Sequence, residues 1–332
     1  MKILLTLDYE LFFGTQTGST EHSIIRPTEQ LMQMAQALGI PLVFFVDVAY
    51  LLALKREMRK SPQLARDYDA VCKQIQALGH AGHEIQLHIH SHWEDCEWSS
   101  GSWQMDTRRY RLHDFPEDEI VRLCKVYSDE LRNIAGPDHV FAYRAGGWVV
   151  QPFEKISAAL AAVNVRIDSS VFPGGTADAN EHRFDFRAAP SHGHWRFSND
   201  PTQPDPSGQF LEVPISSTAV PPSFFWRLAW HKKLGGATAR QFGDGRAIGP
   251  GKSDMIRKLS RASHSVVSMD GFKSSMLETA HRQYERAGAS ELVVIGHPKA
   301  LSPYSMVKLQ RFLTEQRCRN TVGYRPYLAE LL

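Results

Sequence analysis

The chain has 332 residues, 42% of them hydrophobic and 22% charged, and its 38 basic and 36 acidic side chains leave a formal net charge of +2. This is the composition of an ordinary globular protein with ample core, and so even a balance carries no electrostatic footprint for nucleic acid. No apolar run reaches the roughly 18 residues of a membrane span, and Cys72, Cys96, Cys124 and Cys318 form neither a disulfide framework nor a CxxC zinc site.

The amino terminus, Met1 to Asp8, has too short an apolar stretch for a secretory leader and reads as a first strand, so the expected setting is the cytoplasm. Short β-type runs then alternate with helical segments, the pattern of a parallel sheet with crossover helices. Strands are predicted at residues 2–7, 42–46, 84–87, 140–143, 163–167, 210–213 and 292–295. Helices are predicted at 27–38, 64–78, 116–134, 152–162, 272–287 and 304–316. Pro27, Pro116 and Pro152 sit at or near first helical positions. Residues 93–115 and 174–263 break the alternation and read as long insertions of the kind that form functional loops.

In order, the residues at the carboxyl ends of these strands are Asp8, Asp47, His88, Arg144, Asp168, Pro214 and His297. Six of the seven are polar or ionisable on otherwise apolar strands. Barrel enzymes gather their reactive groups at that face.

The densest signal is His83-Glu84-Ile85-Gln86-Leu87-His88-Ile89-His90-Ser91-His92. Imidazole is the commonest protein metal ligand. The four-residue spacing of His88 and His92, on a strand entering a turn, lets both rings face one ion. Strand alternation also puts His90 on the face of His88. Either His83 or His90 therefore supports the site from behind or meets substrate. Asp8-Tyr9-Glu10 presents two carboxylates on one side of an extended chain. One can complete a three-ligand site with an open position and the other can act as base. Asp47 either supports this constellation or simply terminates its strand.

Four segments resemble, in their order, the polysaccharide deacetylases (the NodB-homology fold, carbohydrate esterase family 4). They are Leu5-Thr6-Leu7-Asp8-Tyr9-Glu10, His88-Ile89-His90-Ser91-His92, Tyr143-Arg144-Ala145-Gly146-Gly147-Trp148 and Val294-Ile295-Gly296-His297; Asp168-Ser169-Ser170 resembles a fifth motif. The resemblance implies one α/β domain over residues 1–332, a distorted (β/α)7 barrel with insertions at about 93–115 and 174–263. It implies Asp8 as catalytic base, Arg144 as its partner, and His88 and His92 as ligands of one divalent ion, zinc first. His297 becomes the general acid and Asp168 the carboxylate that tunes it. Where the family has adjacent aspartates this chain has Asp8-Tyr9, which moves the metal carboxylate to Glu10. The implied reaction is N-deacetylation of an acetamido sugar during assembly of a surface glycan such as a lipopolysaccharide O-antigen or capsule.

Two other readings compete. Paired carboxylates also suit a metal-free glycoside hydrolase or glucanotransferase, and the altered motifs suit a barrel that binds glycans without turnover. Residues 221–233 set aromatics beside a basic cluster. They read as a helix packing its aromatics on the barrel, or as a contact for an anionic membrane surface or for a nucleotide- or lipid-linked sugar.

Overall fold

The computed structural model describes residues 1–179, 181–248 and 252–331. Its main sheet has eight strands: β1 (Lys2–Tyr9), β2 (Val43–Asp47), β3 (Glu84–Ile89), β4 (Ala142–Ala145), β5 (Ile167–Asp168), β6 (Trp195–Phe197), β7 (Phe210–Glu212) and β8 (Glu291–Gly296). The spatial order is β6-β7-β5-β4-β3-β2-β1-β8. All neighbours pair in parallel except β6, which is antiparallel to β7. The sheet curls into a distorted barrel. Backbone bonds rather than a long ladder bridge β7 to β8: Ser216 N–H donates to Val293 O at 3.0 Å, Val267 N–H to Ser216 O at 2.7 Å and Ile295 N–H to Val267 O at 3.0 Å.

Crossover helices cover the outside: α1 (Arg26–Leu38), α2 (Val48–Glu57), α3 (Pro62–His80), α4 (Glu117–Ala135), α5 (Glu154–Ala162), α6 (Pro222–Leu234), α7 (Lys252–Ser260), α8 (Leu277–Arg286) and α9 (Pro303–Phe312). Their ends follow local chemistry. Gly39, at φ 64°, closes α1 in the left-handed region, and Ser302 with Ser305 forms a capping box on α9.

Three expectations are corrected. The strand predicted at 163–167 is only Ile167–Asp168, because Asn164 turns the chain at φ 58°. The helix predicted at 304–316 stops at Phe312 and restarts as Glu315–Arg319. Helix α2 escaped prediction because Val48, Ala49, Tyr50, Leu51, Ala53 and Leu54 are buried on nearly every side, leaving no polar stripe to mark a helical period.

Side-chain alternation sorts each strand into two faces. On β1, Ile3, Leu5, Leu7 and Tyr9 pack outward in the layer beneath the helices. Leu4 points into the barrel with Val43, Phe45, Ala142, Ile167, Leu211, Val213 and Val293, above Tyr324 and Tyr327. The same alternation carries Thr6, Asp8 and Glu10 up the interior wall, with Gln86, His88 and His90 on β3 and just beyond it. Gln86 fixes the register low in the barrel: its Oε1 accepts from Phe141 N–H at 3.0 Å and Ala142 N–H at 2.9 Å. Gln86→Leu conserves volume but orphans both buried donors. It is expected to cost about 2–4 kcal/mol in urea unfolding.

Candidate metal and catalytic site

At the carboxyl end of the barrel, the interior rows of β1 and β3 converge. Glu10, His88 and His90 are buried, and one ligand atom from each lies within 4.8 Å of the others. Glu10 divides its carboxylate. Oε1 accepts from the Lys299 ammonium at 2.8 Å, while Oε2 faces His88 Nε2 at 3.1 Å and lies against His90 Nε2. His88 Nδ1–H donates to the Arg144 carbonyl at 2.8 Å, which fixes the ring and aims Nε2 at the cluster. His90 Nδ1, buried like the rest of the ring, has no hydrogen-bond partner.

Burial opposes ionisation of Glu10, but Lys299, His90 and the hydrogen bonds from His88 and His90 outweigh it and hold the carboxyl well below its usual range. Burial likewise disfavours a charged His88, yet the Asp8 and Glu10 carboxylates push its pKa up to about 9. One carboxylate and two imidazoles whose ligand atoms converge in this way form a donor set that fits a zinc-type divalent ion.

Asp8 stands beside this trio, its Oδ2 3.9 Å from His88 Nε2. Arg144, 0% exposed, donates from Nη1 to Asp8 Oδ1 at 2.6 Å. The guanidinium also donates to Thr6 Oγ1 and Ser169 Oγ, each at 3.0 Å, and to the Ser169 carbonyl at 2.8 Å, and it lies over the Phe45 ring. Burial raises the Asp8 pKa, but Arg144, His88 and His297 more than reverse this, so the carboxyl titrates below its ordinary value. His297, just past β8, places Nε2 3.7 Å from both Asp8 Oδ2 and Glu10 Oε1.

No protein-family profile and no curated protein matches the sequence. Among solved structures, the chain is similar to a "putative polysaccharide deacetylase from Mycobacterium smegmatis" at 15% identity and a TM-score of 0.53, covering 99% of this chain and 88% of that one. The chain has the polysaccharide deacetylase fold. A further likeness, to Puue allantoinase, has 14% identity and a TM-score of 0.48, again over 99% of this chain and 88% of that chain.

Within that fold two expected positions fall elsewhere. His92 does not join Glu10 and His88. It rides the helical turn Ser91–Glu94 and stacks between Trp93 and Tyr110 at ring separations of 5.2 and 5.5 Å. His90 stands in its place because β3 stays extended through Ile89, so the period of two reaches residue 90 before the turn begins. Asp168 does not meet His297 either. In register with Tyr143 and Glu212, it faces the helices, where it accepts from Ser170 N–H at 3.1 Å and Ser170 Oγ at 2.8 Å. Burial and the neighbouring Asp168 push the Glu212 carboxyl well above its usual range.

The acid at His297 is Asp270. It accepts from His297 Nδ1–H at 2.7 Å and from the His297 backbone N–H at 2.8 Å. Sequence reading missed it because Asp270-Gly271 looks like an ordinary turn. Lys299, two residues past His297, was missed for want of any motif. Asp47 combines both readings offered for it: it caps α2 by accepting from Tyr50 N–H at 3.4 Å, and it accepts from the Trp93 indole N–H at 2.9 Å. His83 lies at the opposite end of the barrel, accepting from Leu42 N–H at 3.2 Å through Nδ1. It has a structural role.

Burial lowers the His297 pKa, but Asp270 above all, then Asp8 and Glu10, leave it above the usual imidazole value. If His297 works as an acid, activity is lost as pH rises through this raised pKa. Asp270→Asn is therefore expected to move the alkaline limb of the rate profile to lower pH with the acidic limb unchanged, as read from kcat/KM against pH.

Proposed function

We propose that the protein is a metal-dependent hydrolase that cleaves the amide C–N bond of an acetamido group on a sugar. The observation that carries this reading is the convergence, at one barrel mouth, of the Glu10–His88–His90 trio with an ionised Asp8 and an Asp270-bound His297. Glu10, His88 and His90 would hold the ion. When bound, a divalent ion there supplies Lewis-acid chemistry, acidifying water and polarising a carbonyl oxygen.

The protein's own residues supply the proton traffic. Arg144 keeps Asp8 ionised and aimed, so Oδ2 can accept the proton of the attacking water. His297 directs Nε2 into the same space and, as imidazolium, donates to the departing amine nitrogen, which would otherwise leave as a strongly basic anion. Such acid–base help contributes roughly 10²–10⁴-fold. The acetamido sugar and a role in O-antigen or capsule assembly follow from the sequence resemblance, and a nucleotide or lipid linkage from the basic segment 221–233.

A glycoside hydrolase requires one carboxylic acid with a raised pKa as proton donor. Asp8 and Glu10 are both held low, which argues against it. A binding-only barrel has one observation in its favour, the Lys299 ammonium that already neutralises Glu10. Acetate release from N-acetylated sugar nucleotides and chitooligosaccharides, measured before and after chelation and after zinc is restored, tests the proposal. Loss on chelation with recovery on zinc supports it; turnover indifferent to metal removal, or none from any acetamido sugar with zinc bound, rejects it.

A further inference from the structure

Helix α6 packs Phe224, Phe225 and Leu228 inward but leaves its other large apolar side chains in solvent. Phe224 is its buried anchor, packed on Phe272 at 5.5 Å. Trp226, Trp230 and Leu234, spaced four apart and so along one stripe, are 53%, 65% and 69% exposed. Met255 and Ile256 of α7, which packs against α6, are exposed as well. The expectation that these aromatics cover the barrel is thus corrected for both tryptophans.

On α6 itself the charge has one sign. Helix α6 carries Arg227, His231, Lys232 and Lys233 and no acid. Lys273, in the turn beneath, is pushed below the usual ammonium range by burial and by the nearby Lys258 and Lys232. We infer that this face of α6 and α7 is a docking surface for an anionic lipid bilayer. Tryptophan favours the boundary between headgroups and acyl chains, and lysine and arginine hold anionic headgroups beside it. Contact would be peripheral, since no helix among the described residues is long and apolar enough to cross a membrane.

The charge pattern also selects among occupants. A second copy docked through the same patch by a two-fold axis would gather two copies of the Arg227, Lys232 and Lys233 cluster, with no acid from α6, into one interface. An acidic partner such as nucleic acid satisfies the lysines but offers nothing apolar for Leu234, Met255 and Ile256. A bilayer satisfies both. The surface also flanks the site: Phe272, which meets Phe224 and His231, is two residues from Asp270. The inference does not depend on the hydrolase reading, because binding is measured without turnover.

Co-sedimentation of the full chain with vesicles of phosphatidylcholine plus phosphatidylglycerol, against phosphatidylcholine alone, tests it. Binding to the mixed vesicles with a blue shift of tryptophan emission is expected. Lys232→Glu with Lys233→Glu should weaken it by at least roughly fivefold per lysine, and Trp226→Ser with Trp230→Ser by at least about tenfold. These side chains are exposed, so both variants should melt as the parent does. Failure of the parent to sediment with mixed vesicles, variants that bind equally well, preference for an oligonucleotide over those vesicles, or a dimer dissolved by the tryptophan substitutions would each overturn the inference.

Discussion

Asp8→Asn is expected to lower turnover by about 10²–10⁴-fold, the contribution of a positioned acid–base group, and to destabilise the fold. The second effect comes from Arg144. Its guanidinium is fully buried and has Asp8 as its charged partner at 2.6 Å, with Thr6 and Ser169 supplying only neutral acceptors. An amide keeps the shape but leaves the charge uncompensated, and breaking a buried pair from one side costs about 3–5 kcal/mol. Arg144→Met alone strands the carboxylate instead. The double variant should lose less than the two single losses combined, a coupling that a double-mutant cycle in urea measures directly. The pH dependence follows from the same pair. Asp8 titrates below its ordinary 3.8 in the folded state. Its contribution to stability is therefore fully present above that value and lost as pH falls through the lower folded-state pKa. Asp8→Asn should remove this part of the acid sensitivity. Turnover within tenfold of the parent would eliminate Asp8 as the proton acceptor.

The second large effect separates two histidines that sequence alone cannot rank. His90→Ala is expected to lower affinity for zinc by more than about 100-fold, beyond the 10–100-fold typical of groups that merely orient a ligand. His92→Ala should retain one ion per chain with less than tenfold loss. Elemental analysis after dialysis and competition against a chromophoric chelator measure both. The argument is geometric: His90 Nε2 lies against Glu10 Oε2, whereas the His92 ring is held between Trp93 and Tyr110. Burial and the adjacent His90 also keep His92 neutral, far below the usual imidazole pKa. If His92→Ala were the variant that loses the ion, the turn at Ser91–Glu94 would have to rearrange to bring that ring to Glu10.

Much of the architecture is legible in the chain itself. The apolar runs at 2–7, 42–46, 84–87, 210–213 and 292–295 become strands because each is buried on both faces, and the helices between them announce their starts through proline and serine. The period of two also carries Asp8, Glu10 and His88 to a common interior wall, since alternation is a property of the extended backbone and needs no partner.

What a chain cannot state by itself is where an alternation stops and which distant segment arrives beside it. His90 rather than His92 meets Glu10 because β3 holds its extension for one more residue against β4. Asp168 faces the helices because its register with Tyr143 and Glu212 assigns it that side. Asp270 and Lys299 become neighbours of His297 and Glu10 through loops with no motif, and the tryptophans of α6 stay in solvent because the helix docks through its opposite face, on Phe224, Phe225 and Leu228. Periodicity is local and can be read along a strand. Register and loop closure depend on contacts between residues tens or hundreds of positions apart, and those were decided only by the tertiary fold.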